Sequence, residues 1–244
     1  MYAVHHPCFG VNAMQETHGS IVPMAQEKYF SIIMAVDMCS RSVLWKSPIQ
    51  RGRCQGLAVL PRQGVVVVGS FQEGLLHVLR ISDGAWHCSV CAPFVSQVTA
   101  DATTGNIYAI TSGVGPSTVS IFKWTSGRFG VLEGLDGYLA ASGKISISSP
   151  RGAIFNRPLV VVPAASGKTT AHLVVAVAGS AELQVFSLPE GRSVYRTRLS
   201  HAYSLMRIVG LAANPSGTAL AICDAESGIV DVLSWPLRGM PHLP

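Results

Sequence analysis

Cys88 and Cys91 have the spacing of a metal-binding or redox-active CxxC motif, and His87 precedes them. A structural zinc site needs a second pair of ligands at a comparable spacing. A redox-active cysteine needs surroundings, such as a helix N-terminus, that lower the pKa of its thiol. The motif instead lies in a strand-like stretch, where residues three apart point to opposite faces. We therefore interpret both cysteines as ordinary strand residues and predict no metal site.

A second motif, Ser166-Gly167-Lys168-Thr169, is similar to the end of a nucleotide-binding P-loop. A P-loop also needs a glycine five residues before its second glycine, and a helix after the motif. Val162 occupies that earlier position, and the following AHLVVAVAG has the composition of a strand. We therefore predict that the chain binds no nucleotide and no other cofactor.

The remaining acid–base residues form no recognisable catalytic set. The 8 histidines are scattered, and catalysis would need partners that only the fold can bring near. Asp101, Asp224 and Asp231 lie beside predicted turns or strand ends, where aspartate either caps the turn or holds a metal. Turn capping is the simpler interpretation. We predict no catalytic residue and no enzymatic activity.

The cations are concentrated in a segment with no acidic residue between Asp37 and Glu73. In a chain of net charge +5, such a group is typical of a face that binds nucleic acid or an acidic protein. It is equally typical of solvated cations that protect loops and strand edges. We favour the second reading, because Trp45 is the only aromatic residue interleaved with them, and nucleic acid is the less favoured partner. The residues of this possible basic face are Arg41, Lys46, Arg51, Arg53 and Arg62.

The elements that must position these residues are short strands. Five stretches share one pattern, an apolar run, a few turn-forming residues and a second apolar run, which indicates a β-hairpin. They begin at Ser31, Leu76, Val119, Leu183 and Val230. Two further apolar runs, joined by a turn that contains glycine, precede each hairpin from Leu76 onward. Each unit is therefore predicted to contain four strands.

The units recur at the spacing of a propeller blade. Gly64 and Gly105 are about 41 residues apart, close to the roughly 40–45 residues of a four-stranded blade. The step after Gly127 is longer, so we predict that Leu132–Asn156 is an inserted loop with partial strands between blades. No segment has a sustained 3.6-residue apolar period, so little helix is expected.

Several segments resemble known repeats. VLRISDGA and IFKWTSGR resemble the third strand and following turn of WD-repeat and quinoprotein-like propellers, and GLAANPSGTALAI resembles the first two strands of such blades. The resemblance implies an all-β propeller of about five four-stranded blades in a single domain, residues 1–244. Six blades are implied if the strands near Leu139 and Ile145 form a degenerate blade, and a fragment of a longer propeller is also open. The sequence departs from strict WD repeats, because it has no repeated Trp-Asp pair and no traceable polar tetrad.

Composition favours a surface that a partner covers. Charged residues make up 13% of the chain, against about 25% in an ordinary soluble domain. A surface rich in Ser, Thr and Gly would also lower this fraction. No apolar run approaches the roughly 20 residues of a membrane span. The N-terminus has no secretory pattern, so we expect an intracellular protein, cytoplasmic or nuclear.

Three functions follow from these expectations. The favoured one is a non-catalytic propeller scaffold, a subunit that mediates protein–protein contacts in a larger assembly. The second, implied by the resemblance, is an accessory quinoprotein-like domain of a multidomain enzyme of the acyl-activating type. The third is a propeller whose central channel binds a small molecule or a metal.

Overall fold

The structure, a computed structural model, is all-β, and its described residues form five antiparallel sheets. It describes residues 2–5, 31–37, 39–49, 54–111, 118–127, 135, 137–147, 158–166, 170–177, 182–199, 208–224 and 228–240. The first strands are β1 (Tyr2–His5), β2 (Ser31–Val36), β3 (Val43–Ile49), β4 (Cys54–Leu60), β5 (Val65–Ser70), β6 (Leu75–Arg80), β7 (Trp86–Cys91), β8 (Gln97–Asp101) and β9 (Asn106–Thr111). The others are β10 (Thr118–Thr125), β11 (Tyr138–Ser146), β12 (Leu159–Val162), β13 (His172–Val177), β14 (Glu182–Ser187), β15 (Ser193–Arg198), β16 (Ile208–Ala213), β17 (Ala219–Asp224) and β18 (Val230–Ser234).

Each sheet is a run of strands that are consecutive in sequence. Sheet 1 contains β1 to β3, sheet 2 β4 to β7, sheet 3 β8 to β11, sheet 4 β12 to β15 and sheet 5 β16 to β18. The second strands of sheets 2 and 4, VVVVGS and HLVVAV, are buried along their whole length. Strands that are covered on both faces have continuous apolar sequences instead of alternating ones.

Sheets 2 to 5 are arranged as successive blades of a propeller. Their first strands form a row in which β8 contacts β4 and β12, and β12 contacts β16. Apolar clusters fill the space between neighbouring sheets, and each cluster draws residues from two adjacent sheets. The all-β propeller that the repeats predicted is therefore confirmed.

Neighbouring sheets are also joined by one repeated contact. A side chain on the outermost strand of one sheet packs on a residue of the segment that follows the third strand of the next sheet. The four contacts are Trp45 Nε1 donating to Ile81 O (2.9 Å), His87 Nε2 donating to Gly137 O (2.8 Å), Ile145 packing on Gly191, and Tyr195 Oη donating to Arg238 O (3.0 Å). Because Trp45 on β3 acts like His87 on β7, the strands of sheet 1 correspond to the second, third and fourth strands of a blade.

The number of complete blades differs from the prediction. Among the described residues, sheets 2, 3 and 4 have four strands, while sheets 1 and 5 have three. Five or six four-stranded blades are therefore not confirmed. The strands predicted near Leu139 and Ile145 do not form a separate blade, because both belong to β11, which pairs with β10 along its whole length.

The predicted insertion Leu132–Asn156 contains this same strand. Tyr138–Ser146 is the outer strand of sheet 3, so the long step after Gly127 partly reflects a long connection within a blade. Residues 132–134, 136 and 148–156 lie outside the described residues. The role of the rest of this segment as an insertion between blades stays a prediction.

Candidate functional site

Each of the five sheets carries two apolar side chains that are two residues apart on one strand, and in sheets 1 to 4 this pair faces the sheet that follows. These pairs are Ile33/Ala35 on β2, Leu76/Val78 on β6, Val119/Ile121 on β10, Leu183/Val185 on β14 and Val230/Val232 on β18. The first four pack against a matching pair on the second strand of the next sheet: Val66/Val68, Ile107/Ala109, Leu173/Val175 and Leu220/Ile222. This is the unit of contact between blades.

The fifth pair is uncovered. Leu183 and Val185 of sheet 4 are both 0% exposed, whereas Val230 and Val232 of sheet 5 are 61% and 70% exposed. Ile229, next to them, is 49% exposed. A contiguous exposed apolar patch on a protein surface usually marks an interaction site. The outer face of sheet 5, defined here by Val230 and Val232 with Ala221 and Cys223 opposite them on β17, is therefore the candidate functional site.

The structure describes three members of the predicted basic face. Arg41 lies in the turn between β2 and β3, Lys46 on β3, and Arg62 in the short 3-10 helix Pro61–Gln63, and all three are exposed. Arg62 Nη1 donates to Thr103 O (3.4 Å) in the first turn of sheet 3, so this cation also links two blades. Arg51 and Arg53 lie outside the described residues. Binding of a partner through this face stays a prediction.

Sheet 2 contains a polar network that sequence reasoning missed. Trp86 Nε1 donates to Ser89 Oγ (3.0 Å), Ser89 Oγ lies 2.9 Å from His77 Nδ1, and His77 Nε2 lies 2.7 Å from Glu73 Oε2. No polar tetrad could be traced in the sequence, yet in sheet 2 four polar side chains are connected in series. A serine, a histidine and a carboxylate in series are also the parts of a nucleophile relay. Here these side chains connect the turn before β6 to the outer strand β7. Because their spacing in the sequence is irregular, no motif indicated that they would form a network.

The two cysteines of the CxxC motif lie on a strand, as the sequence predicted. Cys88 and Cys91 both lie on β7 as free thiols. Burial raises the pKa of Cys88, and it raises the pKa of buried Cys54 to about 11, so neither is poised as a thiolate. Among the described residues, no group of three or more His, Cys, Asp and Glu side chains is placed to hold a metal ion.

The aspartate by the first turn of sheet 3 has the role that was expected. Asp101 Oδ1 accepts from Thr103 N (2.9 Å), and its Oδ2 accepts from Thr104 Oγ1 (2.7 Å). These bonds cap the turn that leads into β9. The carboxylate of Asp101 thus accepts from backbone and side-chain groups of its own turn, as the simpler interpretation of the sequence predicted.

Comparison with known proteins supports the fold alone. No family model matches the sequence, and no curated protein matches it significantly. Hydrazine synthase from Kuenenia stuttgartiensis is similar in structure, with a TM-score of 0.53, 17% identity, and coverage of 79% of this chain and 49% of that chain. A protein of unknown function from Bacteroides caccae has a TM-score of 0.53 at 13% identity, covering 84% of this chain and 69% of that one.

The β-propeller domain of Cps50 (Swd1) from Myceliophteria thermophila is a third similar structure. It has a TM-score of 0.51 at 12% identity, and the match covers 86% of this chain and 60% of that chain. By comparison, this chain spans about half the length of the hydrazine synthase chain that it matches.

The described residues contain no helix with the length and apolar character needed to cross a membrane.

Proposed function

We propose that this chain is a non-catalytic propeller scaffold that binds another protein. The observation that carries the proposal is the outer face of sheet 5, where Val230 and Val232 are 61% and 70% exposed. The equivalent pair packs against the next sheet in all four preceding contacts between blades, so the apolar composition of this face is that of an interface. The low content of charged residues, 13%, supports the same conclusion.

The mass of the native particle tests this function. Tagged protein is purified from its native cells and measured by size-exclusion chromatography with light scattering, followed by mass spectrometry of the peak. We expect a mass well above the 25.8 kDa of the chain, with a second polypeptide in a fixed stoichiometric ratio. A monomer of the chain's own mass, at the concentration found in the cell, would contradict the proposal.

A second candidate is an accessory propeller domain within a longer enzyme. The similarity to hydrazine synthase favours this second candidate, because this chain matches about half of that longer chain. An antibody against Leu183–Tyr195 distinguishes the two candidates, because the accessory domain predicts a native band far larger than 25.8 kDa. A band at the mass of this chain would exclude the longer enzyme and leave the scaffold.

A further inference from the structure

β18 lies at an edge of its sheet, where its counterparts in sheets 2 to 4 do not. In those sheets the third strand pairs with the second strand on one side and with the fourth strand on the other. β18 pairs with β17, and no described strand lies along its other side. Unpaired N–H and C=O groups along such an edge are a template for another strand.

The composition of β18 is that of an interior strand. Three of the four outermost strands carry cations, which disfavour pairing at an edge. These cations are Lys46 on β3, Lys144 on β11, and Arg196 and Arg198 on β15. β18, with the sequence VDVLS, has none, and it exposes two valines instead.

The turn after β18 is already held in the position that leads to an outer strand. Trp235, Leu237 and Met240 are buried in the apolar cluster between sheets 4 and 5. Tyr195 Oη donates to Arg238 O (3.0 Å), which is the same contact between blades that joins the complete sheets. One end of the space beside β18 is therefore fixed by packed residues, and an added strand would not have to order this turn.

Sheet 4 indicates the register and the chemistry of the added strand. Ser187 and Ser234 each end a third strand and are each followed by an X-Pro pair, so Val232 and Asp231 correspond to Val185 and Gln184. In sheet 4 these residues lie opposite Tyr195 and Arg196 of the fourth strand. The same register on β18 places an aromatic residue opposite Val232 and a cation opposite Asp231, the one charged residue of β18.

We propose that β18 binds an extended segment of a partner protein, which adds antiparallel to it as the fourth strand of sheet 5. The segment carries an aromatic or β-branched residue opposite Val232 and a lysine or arginine opposite Asp231. Backbone hydrogen bonds supply the affinity in this mode of binding, and alternate side chains supply the selectivity. The proposal rests on the scaffold function and specifies how that function binds its partner.

A synthetic peptide tests the proposal directly. The probe is a fluorescein-labelled peptide with the sequence of residues 191–199, GRSVYRTRL, because it contains both required side chains. Fluorescence anisotropy measures its binding to the full chain, and a scrambled peptide of the same composition controls for general attraction of cations.

Two matched variants place the binding at the edge of β18. Val232→Lys and Leu44→Lys introduce the same cation at valine and leucine side chains that are 70% and 65% exposed, at opposite ends of the row of sheets. We expect Val232→Lys to weaken binding about tenfold or more, because an edge lysine disfavours pairing, and Leu44→Lys to leave it unchanged. Asp231→Lys also weakens binding, and an Arg196→Glu peptide restores it.

The proposal is overturned if the labelled peptide binds no better than the scrambled one, or if both variants bind it equally. A dimer that Val232→Lys dissociates, together with no peptide binding, also overturns it and assigns the edge to a second copy of the chain. The scaffold function itself is tested by a separate measurement, the presence of the native complex. A complex that survives Val232→Lys refutes the strand addition while leaving the scaffold function in place.

Discussion

Sheets 4 and 5 carry the same kind of apolar pair, but the pair is buried in sheet 4 and exposed to solvent in sheet 5. Leu183 and Val185 on β14 are fully buried, because β17 of sheet 5 packs over them through Leu220. Val230 and Val232 take the same positions on β18 and remain largely exposed. The strands differ little in residue type, so the neighbouring sheet decides whether such a pair is core or surface.

The difference teaches how stability is distributed in this fold. In an array of repeats, each unit is stabilised mainly by its contacts with the units beside it. Sheet 4 has such contacts on both faces, through two separate apolar clusters. Sheet 5 has a described contact on one face, so substitutions at equivalent positions are expected to differ in cost.

The largest difference is expected from a charge at the two equivalent valines. Val185→Asp buries an unpaired carboxylate between sheets 4 and 5 and is expected to cost about 4 kcal/mol or more of the free energy of unfolding. Val232→Asp leaves its carboxylate in water and is expected to cost less than about 0.5 kcal/mol. Urea unfolding followed by circular dichroism measures both. Equal losses would mean that the outer face of sheet 5 is covered in solution.

A smaller difference is expected between two turn glycines. Gly84 in sheet 2 has φ +72°, and a Cβ there would lie 2.4 Å from Trp45 Cε3. Gly228 in sheet 5 has φ +66°, with no atom within 4 Å of the same position. Alanine at either site costs about 1–3 kcal/mol because of the left-handed backbone, and Gly84→Ala costs about 1–3 kcal/mol more because of overpacking. The two urea midpoints test this, and a larger loss for Gly228→Ala would contradict the repeated contact between blades.

A pH-dependent effect is expected where sheets 4 and 5 meet. His172 on β13 is buried with its ring 5.7 Å from that of Trp235, and burial lowers its pKa from 6.5. Between that lowered pKa and 6.5 the unfolded chain binds a proton that the folded chain does not. Stability from His172 is therefore complete above pH 6.5 and is lost as the pH falls, by about 1.4 kcal/mol per unit of pKa difference.

The variant His172→Phe isolates this contribution from the other histidines. Its free energy of unfolding, subtracted from that of the wild type at each pH, should give a difference that is flat above pH 6.5 and moves against the wild type below it. A difference independent of pH would show that His172 is solvated in the folded protein.

The smallest difference is expected between the reactivity of a buried thiol and that of a thiol on the uncovered face of sheet 5. Cys54 is 1% exposed and its pKa is raised to about 11 by burial, so it should resist alkylation in the native state. Cys223 lies opposite Val230 on the uncovered face of sheet 5 and should react first of the two. Iodoacetamide labelling quantified for each cysteine by mass spectrometry checks this order. Faster labelling of Cys54 would indicate that sheets 1 and 2 separate readily.

Local patterns predicted most of the strands. The hairpins at Leu76 and Leu183 are found where the alternation and the turn residues place them, because a strand's two-residue period and the chemistry of its turn are properties of a few adjacent residues. The hairpin at Val119 shows the limit of this reasoning. Its first strand is β10, but the partner is Tyr138–Ser146, since Gly127 offered a nearby turn and nothing local signals a longer connection.

By itself, the sequence determined the class of fold, the recurrence of a blade-sized unit and the apolar run that begins each hairpin. It did not determine that Glu73, His77, Ser89 and Trp86 form one network, because their spacing has no period. Nor did it determine that Val232 is exposed while Val185 is buried. Only the tertiary structure decided these points, because burial depends on which sheet packs opposite a strand, and that partner lies tens of residues away in the chain.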